Sequence, residues 1–188
     1  MSDASMAGAA RAFIGLGANL GDPARALADA GTRIAALDAT RIVARSALYR
    51  SSPVGGDGPD YLNQVIELAT GLAPEALLAA LLAIEQQAGR KRGPPNAPRT
   101  LDLDLLLYGD RPLFRRTDVL TLPHPRLHQR LFVLAPLAEI APALAIPGQG
   151  RVDCLLARLE ASPEGAGQRC QRWPPSVPLP LRPEPAAR

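Results

Sequence analysis

The run Arg99-Thr-Leu-Asp-Leu-Asp-Leu-Leu-Leu107 constrains this chain more than any other stretch. A strand turns alternate side chains to opposite faces and advances roughly 6.5–7 Å every two residues. Over an expected strand Leu101–Tyr108, Leu101, Leu103, Leu105 and Leu107 belong on one core-facing side, and Asp102 and Asp104 together on the other. Two carboxylates so placed repel each other unless a cation or a proton intervenes. Oxygen ligands at this spacing suit one or two Mg²⁺ ions, above all where phosphate completes the coordination. A half-exposed edge strand whose polar face carries two aspartates is the competing reading.

The rest of the chain supplies partners for such a strand. Ala12–Gly17 is apolar and glycine-punctuated, a buried strand, and Asp22 before Pro23 signals a helix start. Ala26, Leu27, Ala30, Ile34 and Leu37 recur at helical spacing, which predicts a helix over 23–37. Thr40–Tyr49 and Tyr61–Thr70 read as strands, separated by a Pro/Gly-rich loop over 51–60. Pro74 opens a leucine-rich helix to about Ala88, which Gly89 ends. A second Pro-rich loop covers 90–98, and Phe132–Ile140 reads as a helix that Pro136 kinks or delays. This order predicts the α+β class, with helices packed on one sheet.

The 188 residues, 47% hydrophobic and 21% charged, fit one globular domain rather than a disordered chain. We expect a flexible extension over 1–11, a domain over 12–161 and a disordered Pro-rich tail over 162–188, with no account of Trp173 beyond a docking contact. No apolar run reaches the roughly 20 residues that cross a bilayer, and Met1–Arg11 lacks the pattern of a secretory signal. A cytoplasmic location is expected. Cys154 and Cys170 form no C-x-x-C pair, which excludes a zinc ribbon or a thioredoxin-like centre and leaves buried or idle thiols. The net charge is +3, and Lys91 is the single lysine. Arginine suits bidentate phosphate contacts, but basicity alone fits nucleic acid, acidic lipid or a phosphorylated small molecule.

Cations flank the paired aspartates: Arg90, Lys91 and Arg92 in the loop, then Arg99 three residues before Asp102. Carboxylates beside an arginine loop are what phosphoryl or pyrophosphoryl transfer requires, while a solvated basic turn is the bland alternative. His124 and His128 stand at i, i+4, yet Pro125 breaks the turn and neither a glutamate between them nor a third ligand is present, which disfavours zinc. A phosphate-facing His124 beside arginines is the better reading, with a capping role as its competitor. Tyr61, Asn63 and Phe132 suit a planar, hydrogen-bonding ligand, although nothing in the sequence brings them together. Gly15–Gly21 fails the G-x-G-x-x-G pattern, and the lysine is not in a P-loop.

Taken in order, Ile14-Gly-Leu-Gly-Ala-Asn-Leu-Gly21, Tyr49-Arg-Ser-Ser-Pro53, Asp60-Tyr-Leu-Asn63, Ile84-Glu85 with Gly89-Arg-Lys-Arg92, Ala97-Pro-Arg-Thr-Leu-Asp-Leu-Asp-Leu105, and Pro123-His-Pro with Arg130-Leu-Phe132 form a specific series. The chain resembles the 6-hydroxymethyl-7,8-dihydropterin pyrophosphokinases of folate biosynthesis over about residues 12–150. The resemblance implies a ferredoxin-like fold, usually monomeric, that moves the β,γ-pyrophosphoryl unit of ATP to the pterin hydroxymethyl oxygen and releases AMP. It implies that Asp102 and Asp104 hold two Mg²⁺ ions and that Arg90 and Arg99 act on the transferring group. Tyr61 and Phe132 would sandwich the pterin, with Asn63 on its edge and backbone groups near Ser51 and Val54 assisting. Glu85, Arg92, Thr121, His124 and Arg130 would contact ATP. The implied partners are these small molecules, not nucleic acid or membrane.

Pro95 and Asn96 depart from the family pattern, where a basic residue and sometimes tryptophan precede Ala97-Pro-Arg99, and Val119 stands where some members place arginine. Two rivals remain at this point. A Mg²⁺-dependent phosphohydrolase would use the same aspartates and arginines but not Tyr61, Asn63 and Phe132. A ferredoxin-like nucleic-acid-binding module fits the arginine content, but aromatics are only 4%, too few for a stacking platform.

Overall fold

A computed structural model describes residues 8–53, 58–89, 98–109 and 113–174. Of the positions singled out above, Val54, Arg90, Lys91, Arg92, Pro95 and Asn96 lie outside the described residues, as do residues 1–7 and 175–188.

The chain runs β1 (Ala10–Ala18), α1 (Pro23–Ala35), β2 (Thr40–Arg45), β3 (Leu48–Ser51), β4 (Tyr61–Thr70), α2 (Pro74–Gln87) and β5 (Asp102–Tyr108). A short β6–β7 hairpin follows (Arg115–Arg116, Thr121–Leu122), then α3 (Leu131–Ile140) and a second hairpin, β8–β9 (Ala145–Ile146, Gly150–Arg151). The chain continues with α4 (Val152–Glu160), α5 (Pro163–Ala166) and β10 (Cys170–Trp173). It is a mixed α/β single domain. The main sheet has the order β10-β3-β4-β1-β5, with β2 also on β4, and every pairing is antiparallel.

Local chemistry accounts for the helix boundaries. The Asp22 carboxylate accepts from the Arg25 amide at 3.1 Å and Pro23 occupies the first turn, which caps α1 as its sequence predicts. Gly89 ends α2 with a φ of +79°, a conformation that costs a glycine little. Pro136 lies inside α3 without ending it, because Leu131, Val133, Leu134 and Leu137 are all buried. Packing outweighs the lost helical bond.

Helices α1 and α2 cover one face of the sheet over Ala12, Ile14, Leu16, Ile66, Leu68, Leu103 and Leu105. Helices α3 and α4 cover the other over Phe13, Val65, Leu106 and Leu107. Leu107 corrects the expectation of strict alternation. A bulge opposite Phe13 and Ile14 leaves Leu106 without a paired residue, so Leu107 joins the α3 side with it. The expected strand over 40–49 is likewise two strands. It breaks at Ser46, whose amide donates to the Val65 carbonyl (3.0 Å) while its hydroxyl accepts from the Val65 amide (3.1 Å).

The expected tail from residue 162 starts too early. The Ser162 hydroxyl caps α5, and Cys170–Trp173 pairs with β3 as an edge strand of the main sheet. Trp173 pairs with Leu48 and lies under the Arg50 guanidinium, 5.4 Å from the ring centre. A backbone ladder needs no long apolar run, so composition hid this strand.

Candidate active site

The register of three strands builds the site. On β1 the residues turned toward α3 are Arg11, Phe13, Gly15 and Gly17. Gly17 pairs with Asn63 on β4 and Asp102 on β5; Gly15 pairs with Val65 and Asp104. Two rows therefore cross the sheet, each with an aspartate at one end and a glycine in the middle. A Cβ at Gly17 would stand 3.3 Å from Asn63 Oδ1, and one at Gly15 would stand 3.4 Å from the Leu106 methyls. The glycines leave the floor open between amide and carboxylates. Above it lies a cleft of about 260 Å³, which α3 and the segment before it close from the side.

Nine of the expected site residues line this cleft: Ser51, Tyr61, Asn63, Arg99, Asp102, Asp104, His124, Arg130 and Phe132. Asn63 is 5% exposed and donates its amide hydrogens to Ser51 Oγ (2.9 Å) and the Tyr49 carbonyl (3.3 Å). That ties the amide's orientation to β3. His124 is anchored through its backbone amide to the Leu106 carbonyl at 2.9 Å, and its Nδ1 accepts from the Arg126 amide at 3.3 Å. The Arg130 guanidinium lies over the Phe132 ring, 5.4 Å from its centre.

Two expected residues do not reach the cleft. Glu85 is 1% exposed behind the sheet, where its Oε1 accepts the Leu103 amide at 2.7 Å and ties α2 to β5. Thr121 sits on β7 opposite Arg116. Glu85 has a structural duty that its position in a motif does not reveal.

Charge in the cleft is sharply divided. Burial, and then the neighbouring Asp102, push the Asp104 carboxyl above the ordinary range, against the opposing pull of His124, Arg130 and Arg99. Asp102 forms a 2.5 Å ion pair with Arg99 Nη1. Burial would lower the Arg99 guanidinium, but Asp102 more than offsets it and holds the group above its usual value. Burial lowers His124, with Arg130 and Arg126 reinforcing and Asp104 opposing, so the imidazole is neutral near pH 7. The Tyr61 phenol is raised, chiefly by burial, and remains protonated.

This donor set fits Mg²⁺. Asp102 and Asp104 are hard oxygen donors on one strand face, and the desolvated Asp104 gains from a nearby cation. Among the described residues no cluster of three or more His, Cys, Asp or Glu side chains is placed to hold a metal. A magnesium ion that takes one or two carboxylates and completes its shell with water and phosphate needs no such cluster.

Residues 13–142 match the family of 7,8-dihydro-6-hydroxymethylpterin-pyrophosphokinases (HPPK). The chain belongs to the HPPK family. A 2-amino-4-hydroxy-6-hydroxymethyldihydropteridine pyrophosphokinase of Synechocystis is 45% identical over 151 residues, 76% of each chain. The enzyme of that name from Methylorubrum extorquens is 44% identical over 81% of this chain and 95% of its own. Among solved structures, a Plasmodium falciparum HPPK-DHPS superposes with a TM-score of 0.64 at 12% identity, over 80% of this chain and 44% of the longer one. At that identity the likeness bears on fold alone.

In this HPPK chain, three contributors escaped the sequence reading. Gly15 and Gly17, given no role beyond their place in the motif series, form the floor. Asn19 is the third. Its Oδ1 accepts the Arg99 amide at 2.7 Å and its Nδ2 donates to the Pro59 carbonyl at 3.1 Å. The amides of Asn19 and Leu20 return to the Arg99 carbonyl at 3.0 and 3.3 Å. One buried side chain thus ties the loop before β4 to the segment before β5. Asn19→Ala should destabilise the fold by about 1–3 kcal/mol, because buried backbone groups lose their partner. It should also lower kcat about tenfold or more by loosening Arg99. Urea denaturation and AMP release measure the two effects; an unchanged kcat would refute the link to Arg99.

Proposed function

We propose that the cleft divides the work of the family reaction between two ends of one floor, pterin at Asn63 and polyphosphate at Asp102 and Asp104. The chain is an ATP-dependent pyrophosphokinase that transfers pyrophosphate from ATP to a dihydropterin, a step of folate biosynthesis. The observation that carries the division is the pair of rows Asn63–Gly17–Asp102 and Val65–Gly15–Asp104.

At the pterin end, Tyr61 and Phe132 supply flat apolar surface for the ring, and Asn63 presents a pre-oriented amide to its edge. Ser51 holds that amide, and the resemblance adds backbone groups near Val54. At the other end Asp102 and Asp104 would bind two Mg²⁺ ions. Bound Mg²⁺ supplies charge neutralisation and orientation for the triphosphate. Arg99 offers donors to the transferring group, where the resemblance adds Arg90, and Arg130 and neutral His124 would face the ATP phosphates, where it adds Arg92. The resemblance also gives Glu85 and Thr121 as ATP contacts; Glu85 would serve ATP by seating β5 through the Leu103 amide. The hydroxymethyl oxygen attacks the β-phosphorus as the bond to the bridging oxygen on the α-phosphate breaks; AMP leaves with that oxygen and the hydroxyl proton is released. With a loose transition state, placement and charge neutralisation supply most of the acceleration.

The finer expectations belong with this reading. The strand order β3-β4-β1-β5 with α1 and α2 as crossovers supports the ferredoxin-like label. The resemblance implies a monomer that works on small molecules and not on nucleic acid or membrane, and a cytoplasmic location remains the expectation drawn from the sequence. Among the described residues no helix is long and apolar enough to cross a membrane.

Nucleotide product analysis tests the reading. With ATP, Mg²⁺ and 6-hydroxymethyl-7,8-dihydropterin, AMP should form in step with pterin diphosphate. ADP or free phosphate would instead indicate a kinase or hydrolase on the same scaffold.

A further inference from the structure

The first turn of α3 carries Phe132 and follows Arg130, yet its cap residue, Arg130, makes no side-chain capping bond. The exposed first amides of a helix need acceptors. Here the acceptor comes from 37 residues away. Gln168 Oε1 accepts the Leu131 amide at 2.9 Å, and Gln168 Nε2 donates to the Gln129 carbonyl at 2.9 Å. The two bonds bracket Arg130, and Gln129, Arg130, Phe132 and Val133 all line the cleft. A third bond, from Nε2 to the Glu164 carbonyl at 3.4 Å, steadies the glutamine from its own side.

The next residues grip the opposite wall. The Arg169 carbonyl accepts the Ser52 amide at 3.1 Å, and Cys170 pairs with Ser51, whose hydroxyl orients Asn63. Three consecutive residues therefore span the cleft from the Phe132 side to the Ser51 side. The strand that follows locks them in place through Arg172, whose guanidinium meets Glu139 of α3 at 3.2 Å.

We propose that Gln168 is a positioning residue for dihydropterin binding, and that the strap Gln168–Trp173 sets the separation between the aromatic wall at Phe132 and the amide wall at Ser51 and Asn63. This rests on the pterin assignment above. Gln168 touches no substrate. It acts by holding the peptide on either side of Arg130, so that Phe132 meets the ring plane already oriented. Without the side chain, the Leu131 amide and the Gln129 carbonyl turn to water, and the first turn of α3 samples several positions.

Calorimetric titration of 6-hydroxymethyl-7,8-dihydropterin, with Mg²⁺ and saturating α,β-methylene-ATP, reads the effect directly. Gln168→Ala should weaken binding about tenfold, the scale on which a small misplacement by a remote group acts. Gln168→Glu keeps the acceptor for Leu131 but sets a carboxylate oxygen against the Gln129 carbonyl, and should recover only part of that loss. Thr40→Val is the control for a general loss of stability. It removes the 2.7 Å hydroxyl pair with Thr70 at the far end of β4, and should lower the melting temperature while leaving pterin affinity within about twofold. Native affinity in Gln168→Ala, or an equal loss in Thr40→Val, overturns the proposal. A native chain that binds no dihydropterin overturns the pterin assignment itself, and the proposal with it.

Discussion

Asp104→Asn abolishes pyrophosphoryl transfer, by about three orders of magnitude or more, in a protein that stays folded and, without metal, melts no lower than the native chain. The two halves of this expectation have one cause. Burial and the Asp102 charge make ionised Asp104 unfavourable in the free protein. An amide of the same shape relieves that repulsion, so stability holds or rises. The same charge is what draws a divalent cation to the cleft, and losing it removes charge neutralisation where polyphosphate chemistry depends on it. AMP formation under single-turnover conditions reads the first half. Thermal melts with and without Mg²⁺ and α,β-methylene-ATP read the second, since a ligand that binds only the folded state raises its melting temperature. The native protein should show that rise and the variant should lose most of it. Residual turnover above a few per cent of native would remove Asp104 from the metal site.

Arg99→Ala carries the second largest effect, a fall in kcat of about 10²–10³, with dihydropterin affinity changed by less than about threefold. The guanidinium sits at the cleft beside Asp102, while its backbone is held independently by Asn19. Truncation therefore removes charge without moving the loop. Arg99→Lys should recover only part of the rate, because an ammonium keeps the charge but not the planar two-pronged donor set that fits phosphoryl oxygens. Comparing pterin affinity and kcat across the three proteins measures this. A full recovery with lysine would reduce Arg99 to a simple point charge, and parallel losses in affinity and kcat would assign it to ground-state binding instead.

Much of this site was legible because its signals are local. Asp102 and Asp104 share a face through the two-residue period of one strand, and the motif series carried the family assignment without any coordinates. Helix limits at Pro23, Pro74 and Gly89 follow from turn and cap chemistry confined to a few residues. Glu85 shows the opposite case. It belongs to a motif, but only the approach of α2 to β5 reveals that its carboxylate holds the Leu103 amide. Leu107 fell on the unexpected face because a bulge depends on the partner strand, β1, and not on the alternation of β5 itself.

The amino-acid sequence alone determined the chemistry available: paired carboxylates, an arginine beside them, two aromatics and an amide, carried by one α+β domain of the HPPK family. Tertiary structure decided which of these meet. Asn63 and Asp102 lie across Gly17 only because β4, β1 and β5 pair in one register. The strap after α5 grips both walls only because β10 finds the free edge of β3. Backbone pairing and side-chain bonds between residues 37 or more positions apart are set by the packing of the whole sheet. No local periodicity records them, which is why composition placed a tail where the fold has a brace.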